Sequence, residues 1–99
     1  MGLPFYYVVV SATDVNSVVT VDIDASDEKA FTLLLINDGA NEVFVDFNNS
    51  IATSADFQLK SGEFINVSTE GGYDIRVFGI ICSAGETATV RVLALPIKG

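Results

Sequence analysis

The chain has 99 residues, one cysteine, no histidine and a formal net charge of −8 at pH 7. A chain of this length fits one domain, residues 1–99, with a single core. Five Lys and Arg residues are too few to form a basic stripe, so we expect no binding to nucleic acid or to an anionic membrane. The absence of histidine excludes catalytic and metal sites that use imidazole.

Eight segments rich in β-branched and aromatic residues follow one another, and this composition favours strands over helices. In chain order they are Leu3 to Ser11, Ser17 to Asp24, Ala30 to Asn37, Glu42 to Asn48, Asp56 to Lys60, Glu63 to Ser68, Asp74 to Ser83 and Glu86 to Leu95. The one helix candidate is a single turn at Asp24 to Lys29, where Ser26 or Asp27 would cap it.

Apolar and polar residues alternate in several of these segments, which gives a strand two unlike faces. In the fourth segment Val43, Val45 and Phe47 share one face and Asp46 lies on the other. The third segment and the stretch Ile75 to Ile81 are apolar on both faces, as expected of central strands or of strands covered by a neighbouring subunit. The pattern predicts a single antiparallel β-sandwich, jelly-roll or immunoglobulin-like, of about seven to eight strands.

Turn residues separate the predicted strands. Asn37-Asp38-Gly39, Ser61-Gly62, Gly71-Gly72 and Ala84-Gly85-Glu86 supply residues that tolerate positive φ. Between the two short strands in the middle of the chain, Lys60 to Glu63 predicts a tight hairpin with Gly62 in the left-handed conformation.

Carboxylates are the remaining candidates for catalysis or metal binding. Asp22, Asp24, Asp27 and Glu28 cluster in a polar loop, whereas a catalytic acid needs an apolar cleft that raises its pKa. Read as a calcium loop, the segment has Asp27 where Gly is needed and Leu33 where a bidentate Glu is needed, which leaves at most a loose surface calcium. We therefore predict a protein that is not an enzyme and that has no metal and no cofactor.

Cys82 lies in an apolar strand beside Ile80 and Ile81. A reactive thiol needs positive charge nearby, and Arg76 and Arg91 are the only Arg residues in the chain. We predict that Cys82 is a small buried hydrophobe.

Four segments of the chain carry recognisable strand and turn signatures. They are Ile36 to Gly39, Val43 to Asn48, Ala52 to Glu63, which carries Phe57-x-Leu59 before a Gly-Glu turn, and Ile80 to Val92, which carries an Ala-Gly-Glu-Thr-Ala turn. These segments resemble small virion proteins of tailed bacteriophages. The resemblance covers roughly the C-terminal two thirds of the chain, and residues 1–29 lie outside it.

The resemblance implies a structural role in the virion, assembled in the host cytoplasm. The implied function is that of a capsid decoration or cement protein, which binds the outer capsid surface and stabilises it by bridging subunits. The implied partner is the major capsid protein or another virion protein, and a fibre or tail adaptor is the nearest variant. No catalytic residue is carried over.

The opening strand predicts where this protein meets its partners. The run from Leu3 to Val10 has no charge, and an exposed strand edge of that kind aggregates unless another chain covers it. A mean hydropathy of +0.46 with 18% charged residues also indicates apolar surface that meets a partner. We predict a homo-oligomer, a trimer or dimer, and a partner or subunit interface formed by Leu3, Pro4, Phe5, Tyr6, Tyr7, Val8, Leu95, Pro96 and Ile97.

The alternative is a module that binds cell-surface carbohydrate through its loops. Such a module needs an exposed aromatic ring next to acidic or amide groups, and Tyr73 beside Asp74 is the best candidate. Tyr6 and Tyr7 are the other tyrosines, for which packing in an edge strand is the simpler expectation.

Overall fold

The computed structural model describes residues 5–21, 31–47, 51–68 and 77–96, which form eight strands and no helix. The strands are β1 (Tyr6–Ala12), β2 (Ser17–Thr20), β3 (Phe31–Asn37), β4 (Val43–Asp46), β5 (Phe57–Leu59), β6 (Phe64–Ser68), β7 (Val77–Cys82) and β8 (Ala88–Pro96). Each strand overlaps one predicted segment, so the all-β prediction is confirmed. The candidate helical turn Asp24 to Lys29 lies outside the described residues.

The strands form two antiparallel sheets of four strands each. The first sheet has the order β1-β8-β3-β6 and the second has the order β2-β7-β4-β5. β3 and β7 are central strands, which confirms the expectation from their apolar residues on both faces. Within the described ranges, no helix is long and apolar enough to cross a membrane.

Both sheets contribute to one hydrophobic core. Alternate residues of the first sheet are fully buried, namely Phe31, Leu33, Leu35, Val90, Val92 and Ala94, and they share the core with Val43, Val45, Leu59, Phe78 and Ile80 of the second. Burying each large apolar side chain contributes roughly 1.5 to 3 kcal/mol to the free energy of folding. Burial in this shared core is therefore the main interaction that stabilises the packing of the two sheets. The rings of Phe47 and Phe78 meet at a centroid distance of 5.8 Å.

The turn from Lys60 to Glu63 has the predicted conformation but not the predicted role. Glu63 N–H donates to the Lys60 carbonyl at 3.0 Å, and Gly62 has φ +82°, so the left-handed glycine is confirmed. The predicted hairpin is wrong, because β5 pairs with β4 while β6 pairs with β3 in the other sheet. Local turn chemistry specifies a reversal of the chain, but it does not specify which sheet the next strand joins.

Asn37, the last residue of β3, is fully buried and connects the two sheets. Its Nδ2 donates to the carbonyls of Asn41 at 2.8 Å and Leu59 at 2.9 Å, and its Oδ1 accepts from Gly39 N–H at 3.0 Å. Its backbone carbonyl also accepts from Gly62 N–H at 2.8 Å. Because Leu59 belongs to β5, the side chain of Asn37 holds the corner between the sheets as well as its own turn.

Candidate interaction surface

The outer face of the first sheet carries a group of apolar side chains among polar ones that are uncharged except for Arg91. The residues between the buried positions of its strands point away from the core, and the strand register places them side by side. Val9 lies opposite Arg91, Arg91 opposite Ile36, and Ile36 opposite Phe64. We call the apolar members of this surface the apolar face; they are Tyr7, Val9, Leu34, Ile36, Phe64, Leu93 and Leu95.

Much of the apolar face is accessible to solvent. The exposed fraction is 46% for Tyr7, 48% for Val9, 67% for Phe64 and 47% for Leu95. The remaining three members are half-buried by their neighbours on the sheet. Contiguous exposed apolar patches are uncommon on monomeric domains and mark interaction sites, so this face is the candidate interaction surface.

Arg91 is the one charged residue in the four strands of the first sheet. Its Nε donates to Asp38 Oδ2 at 2.9 Å, and its Nη1 donates to the Tyr7 hydroxyl at 3.2 Å. These hydrogen bonds, the one to Asp38 first, raise the pKa of Arg91. The cation is thus matched by a neighbouring anion, and the face presents almost no net charge although the whole chain carries −8.

The outer face of the second sheet is smaller and more polar. Val18 and Val77 are exposed there, but Asp46 lies in the same row as Val18 according to the register. Glu42, the residue before β4, accepts a hydrogen bond from Gln58 of β5, which places a further acid beside this surface. The two outer faces therefore differ, and the first sheet offers the larger uncharged surface.

The edge of the first sheet at β1 continues the apolar face. Among the described residues β1 pairs only with β8, through all seven of its residues. It contains neither a charged residue nor a proline, the features that usually protect an edge strand. The other three edge strands are shorter, with five residues in β6, four in β2 and three in β5.

The predicted interface residues fall into three groups. Phe5, Tyr7 and Leu95 are exposed, whereas Tyr6 and Val8 pack against the core and are partly buried. The register joins the start of β1 to the end of β8, where Pro96 lies in the last position of the strand. Leu3, Pro4 and Ile97 lie outside the described residues.

Sequence reasoning missed the part of this surface that comes from the middle of the chain. Leu34, Ile36 and Phe64 belong to β3 and β6, which are distant in sequence from β1. The signal was present in the third segment, which is apolar on both faces. That pattern predicted either burial or cover by a neighbour, and the strand order now places its outer side next to β1 and β8 on one surface.

A shallow groove of about 310 Å³ lies at one end of the two sheets. It is lined by residues 11–13, 39–41 and 87–89, which are small or polar, and no ionisable side chain lines it. The Asn41 amide donates to the Thr87 carbonyl at 2.8 Å, so this polar group already has a partner within the chain.

Among the described residues, one further candidate group, Cys82, lies apart from the apolar face. Cys82 is buried in the core, as predicted, and burial, followed by the charges of Glu86 and Asp14, raises the pKa of its thiol. In the described part of the chain, no three His, Cys, Asp or Glu residues lie close enough to hold a metal ion. The acidic cluster from Asp22 to Glu28 and the pair Tyr73 and Asp74 lie outside the described residues.

By its geometry the chain is an all-β protein of two antiparallel four-stranded sheets. No family model and no curated protein matches the sequence. Among solved structures it is similar to an HTH_3 family transcriptional regulator from Vibrio cholerae, with a TM-score of 0.58 and 10% sequence identity. The match covers 96% of this chain but 44% of the regulator, so this chain spans less than half of that protein's length. At such low identity the similarity concerns the fold alone.

Proposed function

We propose that this protein is a non-enzymatic structural component that assembles with other proteins through the apolar face. In its specific form the proposal is a capsid decoration or cement protein of a tailed bacteriophage, which binds the outer capsid surface and bridges its subunits. The observation that carries the assembly role is a sheet face with seven apolar residues and a single, paired charge. The resemblance in four sequence segments supports the virion setting.

We further assign the fold to the jelly-roll type rather than the immunoglobulin type. In strand order, every connection except β4 to β5 crosses from one sheet to the other. An immunoglobulin sandwich instead keeps its first two strands together in one sheet. Eight strands in two antiparallel sheets with crossing connections are typical of jelly rolls, which are common in viral capsid proteins.

The charge distribution supports binding by burial rather than by electrostatic attraction. Protein interfaces that persist bury roughly 800 Å² on each partner, and charged residues are depleted at their centres. A chain with a net charge of −8 repels any acidic partner unless the contact surface itself lacks acids. The apolar face satisfies that condition, because none of its four strands contains Asp or Glu.

Co-sedimentation with tailed-phage capsids that lack their decoration protein tests the proposal. Phe64→Lys places a charge in the apolar face at a position that is 67% exposed, so the fold tolerates it. We expect binding to weaken at least about tenfold, because the variant removes the most exposed side chain of the apolar face and would bury an unpaired charge in the contact. Val18→Lys, at a 55% exposed site on the second sheet, is the matched control and should bind normally. Equal binding by both variants, or no binding by the unmodified protein to any such capsid, contradicts the proposal.

A further inference from the structure

Among the described strands, only β8 pairs with β1, and the sequence of β1 points to one particular occupant of its other edge. We propose that β1 pairs with β1 of a second copy, antiparallel and about a twofold axis, so that the first sheets of two copies join into one continuous eight-stranded sheet. The inference rests on the proposed assembly role of the apolar face, since the pairing would unite two such faces into one surface.

Of the four edge strands, β1 has the fewest features that prevent pairing with another strand. A sheet edge presents a row of N–H and C=O groups, and proteins protect it with short strands, charges or proline. β2 and β5 are short, with four and three residues, and β6, with five, begins directly after Glu63. β1 has seven residues, Tyr-Tyr-Val-Val-Val-Ser-Ala, with high β propensity and no such protection.

Charge favours a second copy in the antiparallel orientation. The described charged residue nearest to β1 in sequence is Asp14, which follows the strand's C-terminal end. In antiparallel pairing centred on Val9, the two Asp14 residues lie at opposite ends of the strand pair, separated by ten residue steps or about 33 Å. That separation exceeds the Debye length of about 10 Å at 0.1 M salt, so the two acidic chains approach without local repulsion. Parallel pairing would instead place the two acids side by side.

The side chains of β1 complement themselves in this register. Val9 is the midpoint of Tyr6–Ala12, so it meets its own counterpart on the twofold axis. On the core side Val8 meets Val10, and both already pack against the core of their own copy. On the outer side Tyr7 meets Ser11. Cross-strand pairs of this kind each contribute roughly 0.2 to 1 kcal/mol relative to alanine pairs, in addition to the new backbone hydrogen bonds.

Sedimentation velocity over a range of protein concentrations tests the pairing. We expect the unmodified chain to form a dimer and Val9→Lys to weaken dimerisation at least about tenfold, because two like charges would meet on the axis. Val18→Lys introduces the same charge on edge strand β2 at a similarly exposed position and should dimerise normally. Circular dichroism confirms that each variant is folded. A monomeric unmodified chain, or a folded Val9→Lys variant that still dimerises, overturns the inference.

Cross-linking identifies the strand that mediates the dimer. Val9→Cys treated with a short bis-maleimide should give a covalent dimer, whereas Val18→Cys should not, and the native Cys82 is buried and serves as a silent background. Equal cross-linking of the two variants overturns the inference. The proposed function is tested by a different variant. Phe64→Lys should lose capsid binding and remain dimeric, whereas Val9→Lys reports on dimerisation.

Discussion

Arg91 Nε lies 2.9 Å from Asp38 Oδ2, which joins the middle of β8 to the turn after β3. Arg91 also donates to the hydroxyl of Tyr7 on β1, so one side chain links three elements across the outer side of the first sheet. The side chains of both ion-pair partners are about half exposed, at 49% and 51%. This geometry places a neutralised charge within an otherwise uncharged sheet face.

Arg91→Leu tests whether that charge controls association rather than stability. We expect the urea midpoint to change little, because solvent-screened ion pairs contribute little to folding. Self-association should weaken, because the substitution leaves the Asp38 carboxylate unpaired beside the apolar face. Equilibrium urea unfolding and static light scattering measure the two effects, and Arg91→Lys, which keeps the charge, is the control. A large fall in the midpoint with unchanged scattering would show that the residue is mainly structural.

Asn37→Ala should be strongly destabilising. The substitution leaves the carbonyls of Asn41 and Leu59 without their donor inside the protein, at a cost of roughly 2 to 4 kcal/mol for the pair. Urea unfolding measures the loss. Asn66→Ala, at an exposed position of β6, is the control and should change the free energy of unfolding by less than about 0.5 kcal/mol.

Asn37→Asp sharpens this test. A carboxylate has the same shape as the amide but no donor, so it would direct oxygen atoms at two carbonyl oxygens. We expect the aspartate variant to be no more stable than the alanine variant at pH 7. An aspartate variant as stable as the unmodified chain would show that the two donated hydrogen bonds do not hold this corner.

Gly39→Ala and Gly85→Ala should differ in cost for different reasons. A Cβ on Gly39 would lie 2.5 Å from the backbone nitrogen of Thr89 and 2.7 Å from Ala88 Cα, so the backbone itself must move. A Cβ on Gly85 meets nothing within 4 Å, but its φ of +77° is unfavourable for alanine. We expect losses of about 3 kcal/mol and about 1 kcal/mol, respectively, from thermal or urea unfolding. The reverse order would contradict the close approach of the turn to β8.

Cys82 should make the free energy of unfolding depend on pH in the alkaline range, because the pKa of its thiol is raised in the folded protein. Burial, then Glu86 and Asp14, raises the pKa of the folded thiol above its ordinary value of 9.0. Below that value the thiol is protonated in both states, and its effect on stability is constant. As pH rises past 9.0 toward the folded pKa, the unfolded chain ionises first, and the free energy of unfolding falls by up to about 1.4 kcal/mol per pH unit.

Cys82→Ala isolates this contribution. The variant should lose roughly 1 kcal/mol at pH 7 but should show a shallower decline between pH 8 and pH 10 than the unmodified chain. Every other ionisable group is present in both proteins, so its contribution cancels in the difference. Urea unfolding with a reductant present measures it, and parallel pH profiles would contradict the raised pKa.

The sequence predicted the strands better than their arrangement. Their β-branched and aromatic composition, with period-two alternation in several of them, identified all eight, because strand propensity and the burial of one face are local features of the sequence. The Lys60 to Glu63 turn shows the limit of such reasoning. Its residues specify a left-handed glycine, but the hydrogen bond from Gly62 N–H to the Asn37 carbonyl, which draws the chain toward the first sheet, joins residues far apart in sequence.

The candidate surface shows the same limit. The uncharged first strand was visible in the sequence, and the structure places it at an edge of the first sheet among the described strands. The contribution of Phe64 and Ile36 was not visible, because it depends on the order β1-β8-β3-β6, which no local pattern encodes. Long-range strand pairing brings the apolar residues of four strands onto one face of one sheet.

Acidification should drive this protein into larger assemblies through the apolar face. The charge of −8 at pH 7 approaches zero near the isoelectric point of about 4.1, which removes the repulsion between copies and leaves apolar burial unopposed. Light scattering between pH 7 and pH 4 should therefore rise steeply, and less so for Phe64→Ser. Val18→Ser, the matched change on the second sheet, should scatter like the unmodified chain. Equal scattering by the two serine variants would show that association at low pH does not use the apolar face.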